Sequence, residues 1–163
     1  MKNILLPLLF VVCVGCASTI GTSQPYAAYE DKNLRPDQIA TVKGFISDER
    51  GLFNVPYSGI LIKCIDGKST FNFAPGYDNG FESPNLVTVK PGRHHMQVRY
   101  FHRKWSVFWS MWFDAVGGEE YAVKFSYPTP DTVRIWLENS RTKEVVSGKN
   151  LDYEMRNSPN TCS

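Results

Sequence analysis

From residue 38 onward the apolar positions mostly alternate with polar ones, and Gly, Pro, Asn and Asp punctuate the runs at short spacing. Alternation with a period of two is the mark of strands with one buried and one wet face. It predicts strands over 39–45, 59–65, 70–73, 86–90, 94–103, 105–113, 120–127, 132–138 and, weakly, 143–146. The pattern is clearest where Met96, Val98 and Tyr100 oppose Gln97, Arg99 and Arg103, and where Tyr121, Val123, Phe125 and Tyr127 oppose Glu120, Lys124 and Ser126. Residues 105–113 also fit a helical stripe through Trp105, Phe108, Trp109, Trp112 and Phe113. Aromatic enrichment and short links to the strands on both sides favour a strand, with Trp105, Val107, Trp109, Met111 and Phe113 on one face.

Two turns carry specific chemistry. Ile65-Asp66-Gly67-Lys68 has the Asp-Gly pair of a tight hairpin. Val89-Lys90-Pro91-Gly92 presets φ at Pro and supplies Gly where φ must be positive, which predicts a hairpin between its flanking strands. The fold expected is an all-β, antiparallel sandwich of about seven to nine strands over 38–150, with a C-terminal tail over 151–163.

The N-terminal part differs in kind. Lys2 precedes an apolar run from Ile4 to Val14, shorter than the roughly 20 residues that a bilayer-spanning helix needs, so 1–15 reads as a secretory leader. Residues 16–37 are rich in Ser, Thr, Gln, Pro, Tyr and charge, without periodicity, as in a flexible tether. The chain has 163 residues, 42% of them hydrophobic, enough for one core. Its formal charge of +2 is too even to argue for nucleic acid.

Val12-Cys13-Val14-Gly15-Cys16-Ala17 resembles the lipobox of bacterial lipoprotein precursors, with Cys13 where Leu is usual. The resemblance implies a diacylglyceryl thioether and an acylated amino group on Cys16, hence a membrane anchor. Ala17 and Ser18, in place of Asp after the cysteine, imply the outer membrane, facing the periplasm. Ile65-Asp66-Gly67, VTVKPGRHHMQVRY (87–100) and AVGGEEYAV (115–123) resemble a pattern of bacterial envelope lipoproteins. They are also similar to PEGA-like, Ig-like and transthyretin-like sandwiches. That resemblance implies that Tyr121 is a corner tyrosine whose hydroxyl bonds upstream backbone.

Once Cys13 leaves with the leader and Cys16 is acylated, Cys64 and Cys162 remain. A periplasmic disulfide between them and a buried, reduced Cys64 are both open readings. His94 and His95 point to opposite faces of a strand, and His94 and His102 stand roughly 26 Å apart along it, so no metal site is expected. Adjacent Glu119 and Glu120 diverge, and no hydrolase elbow or phosphate loop is present, so no catalytic residues or cofactors are assigned. The contact surface expected comprises Tyr77 and Phe81 in the long loop 74–85, Phe108 and Trp112 on the second face of their strand, and Arg99 and Arg103 in a basic cluster with Arg93 and Lys104. The function expected is a non-enzymatic binding or structural module with an envelope protein or glycan as partner. The alternatives are an envelope glycan or peptide hydrolase and an accessory subunit of an envelope complex.

Overall fold

A computed structural model describes residues 26–31, 33–51, 56–70, 84–103, 105–148 and 152–154. They form two stacked sheets, as the alternation requires. The strands are β1 (Tyr26–Ala27), β2 (Ala40–Lys43), β3 (Phe45–Ile46), β4 (Ser58–Ile65), β5 (Lys68–Ser69), β6 (Leu86–Val89), β7 (Gly92–His102), β8 (Trp105–Ala115), β9 (Glu120–Thr129), β10 (Thr132–Asn139), β11 (Val145–Ser147) and β12 (Asp152–Glu154). Five of these twelve have only two or three residues, which is why the described strands outnumber the seven to nine expected.

The first sheet runs β1-β6-β2-β9-β10-β11, with β12 also on β10; the second runs β3-β4-β7-β8, with β5 also on β4. Most pairs are antiparallel, but β1 lies parallel to β6 and β2 parallel to β9. The core between the sheets is apolar: Val42, Ile60, Ile62, Val87, Val89, Met96, Val98, Tyr100, Val133, Ile135 and Leu137 are fully enclosed. Residues 105–113 are strand, and from Val107 to Ala115 each odd position is buried. Only Trp105 departs, because it opens the strand beside the β7–β8 turn and is exposed.

Four expectations need correction. The Pro91-Gly92 turn does not close a hairpin: β6 lies in the first sheet and β7 in the second, so the turn is an arch over the core edge. Gly92 does take the positive φ that the turn needs, +128°, but the strand it launches finds β4 and β8 as partners. The single strand expected over 39–45 splits at Gly44. A Cβ there would lie 2.1 Å from the Ile60 carbonyl oxygen, and the Gly44 amide donates to the Asn85 carbonyl at 2.6 Å. The chain thus leaves the first sheet as β2 and enters the second as β3, a corner of the kind that lets one strand serve two sheets.

Third, the segment read as a tether is partly fixed: β1 pairs with β6, and Tyr26 and Ala28 pack against the core. Fourth, Gln97 is not on a wet face. It is buried opposite Cys64, and its amide nitrogen donates to Ser110 Oγ at 3.5 Å.

The Asp66-Gly67 turn is the tight hairpin expected, with φ of +52° and +77° and Ile65 opposite Lys68. Asp66 also docks the hairpin onto β7. Its Oδ1 accepts the His95 amide at 2.9 Å, its own amide donates to the His95 carbonyl at 2.7 Å, and Oδ2 meets His94 Nδ1 at 2.7 Å.

Candidate interaction face

The β7–β8 hairpin builds the site. Its turn is so short that His102 faces Trp105, and the register carries on without a slip, placing Arg99 opposite Phe108, His95 opposite Trp112 and Arg93 opposite Asp114. Odd residues of β7 and even residues of β8 therefore share the face turned away from the core. Along it, cations meet rings. The Arg93 guanidinium lies 5.3 Å from the Trp112 ring, and the His95 ring stands 4.8 Å from the same indole. Arg99 lies 5.9 Å from Phe108, and Arg103 lies 5.8 Å from Tyr57.

Such contacts hold flat rings and guanidinium planes in fixed orientation. Trp112 is 56% exposed and Trp105 47% exposed, large values for indoles, whereas Phe108 is half-buried. Arg99 Nε is buried with no hydrogen-bond partner among the described residues.

Of the residues singled out in the sequence, Arg99, Phe108 and Trp112 are brought onto this one face, and Arg103 sits in the turn at its end, over Tyr57. Tyr77 and Phe81 lie outside the described residues, as do Cys16 and Cys162. Cys64 is buried on β4, with Sγ 3.8 Å from Gln97 Oε1. His95 and Tyr57 belong to the face but were missed. A signal for His95 existed: a two-residue link after His102 sets the hairpin register and hence the partner of Trp112. None existed for Tyr57, which arrives from the start of β4.

The acidic residues are occupied separately. Glu119 accepts from Asn139 Nδ2 at 3.1 Å and pairs with Arg141, and these hydrogen bonds hold its carboxyl below the usual carboxylate range. Glu120 pairs instead with Lys43 at 2.5 Å. Tyr121 behaves as the corner tyrosine: its hydroxyl accepts from the Val116 amide at 3.0 Å and donates to the Asp114 carbonyl at 3.4 Å. Among the described residues no group of three or more His, Cys, Asp or Glu is placed to hold a metal ion.

Comparison with protein-family models, with curated proteins and with solved structures finds no match for this chain. What stands is a two-sheet all-β domain with an arginine-aromatic face on its second sheet.

Proposed function

We propose that this chain is a lipid-anchored protein of the bacterial envelope, tethered through Cys16 on the periplasmic side of the outer membrane. Its sandwich acts there as a non-enzymatic module that binds an envelope protein or glycan. The leader that ends at Gly15, followed by Cys16-Ala17, supports the anchor. The observation that carries the binding role is the open Trp112 indole, with Arg93 and His95 of the neighbouring strand packed close to it. An exposed indole gives flat apolar area at little entropic cost, and the neighbouring guanidinium adds a donor for a polar or acidic group.

The anchor is tested by labelling growing cells with palmitate. The expected result is label in the wild-type chain, recovered with outer-membrane fractions, and an unlabelled, released chain for Cys16→Ala. An unlabelled wild-type chain overturns the anchor. Crosslinking in intact cells tests the binding role, with partner yield expected to fall several-fold in Trp112→Ala while Glu144→Ala, an exposed change away from both faces, leaves it unchanged. Equal yields for wild type and Trp112→Ala overturn it.

A further inference from the structure

A second surface, on the other sheet and independent of the anchor, follows from the corner at Gly44. β2 pairs with β9 only from Glu120 to Ala122, and then the chain departs as β3. β9 continues to Thr129 with β10 along one side only. The Ser140 amide donates to the Glu120 carbonyl, so even residues of β9 turn their backbone groups toward β10. Phe125 and Tyr127 turn theirs to the side that β2 has vacated. Among the described residues no strand pairs with that edge beyond Ala122.

The vacated track has a mixed lining in which apolar surface predominates. A cavity of about 260 Å³ opens between Gly44 and Phe45 on one side and residues 122–125 on the other. Phe45 packs at 5.4 Å on Phe125, which in turn packs at 5.6 Å on Tyr127. Phe45 and Tyr127 remain 39% and 46% exposed although the alternation places Tyr127 on the buried side of its strand. At the far end, His102 stands edge-on to Tyr127 with its buried Nδ1 unpartnered among the described residues.

We propose that this edge binds an extended peptide segment of a partner protein by strand addition, the added strand taking up the track of β2 beside β9. Main-chain donors and acceptors of Phe125 and Tyr127 supply affinity, and the cavity accepts one large or two small apolar side chains pointing inward. On the outward face Lys124 is exposed and carries no ion pair among the described residues, so the segment has an acidic residue at the position beside it. The chain's own ends do not fit: 17–25 and 155–163 are polar and lack alternating apolar residues.

The test uses the mature chain in detergent and a fluorescent octapeptide of alternating Val and Thr with one Asp at a Thr position. The expected result is saturable binding that falls about tenfold when alternate peptide amides are N-methylated. Lys124→Glu should weaken it several-fold, and Trp112→Ala should not. Amide exchange at Phe125 and Tyr127 should slow at least about tenfold on binding, while Lys124 and Ser126, already bonded to β10, change little. Absence of saturable binding, equal binding of the N-methylated peptide, or protection outside β9 overturns the proposal. A free chain that sediments as a dimer with those two amides already protected also overturns it, in favour of a second copy.

Discussion

At the scale of single residues, Glu119 shows how a carboxylate beside a turn becomes structural. Its side chain is only 17% exposed and is fixed by Asn139 and Arg141, while Asn139 Oδ1 accepts the amides of Arg141 and Thr142 at 2.9 and 3.0 Å. The start of β9 is thereby tied to the turn after β10. Hydrogen bonds from Asn139, then Arg141, depress the folded-state pKa of Glu119. A carboxylate of that kind contributes stability that is complete above the unfolded value, about 4.3 for Glu, and is lost as pH falls through the lower folded value. Wild type should therefore lose Tm more steeply than Glu119→Gln as pH is lowered from about 6 to 3. Parallel acid limbs for the two proteins would remove the linkage. Tyr100 titrates in the opposite sense: burial, and the hydrogen bond with Tyr127, push its hydroxyl above the ordinary tyrosine value.

At the scale of elements, the corner at Gly44 decides the topology, because it sends one extended segment into two sheets. Ala at this position would press its Cβ against the Ile60 carbonyl, backbone that cannot yield as a side-chain tip can, while the Asn85 carbonyl stays at ordinary contact distance. Gly44→Ala should cost about 2 to 3 kcal/mol in urea unfolding. Gly67→Ala, at φ +77° with open space around it, should cost only about 1 to 2 kcal/mol from the left-handed backbone. Equal costs would mean that conformation, not contact, sets the glycine requirement.

The same element explains what could be read from the chain beforehand. Alternation located β7, β8, β9 and β10 because each has one face on the core, and β10 shows it without a break from Thr132 to Asn139. The Asp66-Gly67 hairpin was legible because its geometry is local. The Pro91-Gly92 arch was not, since the turn has the same residues whether the next strand folds back or crosses to another sheet. Nor was the Gly44 break, which exists because Ile60 and Asn85 come close from elsewhere in the chain. Likewise the outward placement of Phe108 and Trp112 followed from period two, whereas Tyr57 joins their face only through tertiary packing.

At the scale of the molecule, the outward face of the second sheet is divided. Near the β8 edge it is open at Trp112, and toward β4 it is closed, with Leu61 and Cys64 both 3% exposed. A buried cysteine on a sheet face turned away from the core is the place where a disulfide can fix further chain onto that face. We expect its partner to be Cys162. β12 brings the chain to Glu154 alongside β10, and the eight residues from there to Cys162 can reach about 28 Å when extended. The loop closed would be about 100 residues long, for which the chain-entropy model gives about 4 to 5 kcal/mol. The mature chain should then gain two hydrogens in mass on reduction, and Cys162→Ser should lower unfolding stability by about 2 to 5 kcal/mol. Adding Cys64→Ala to that variant should cost only the loss of a small buried side chain, because the covalent link is already gone. A mass unchanged by reductant would leave Cys64 as a packing residue and remove the covalent tie between the tail and the sheet.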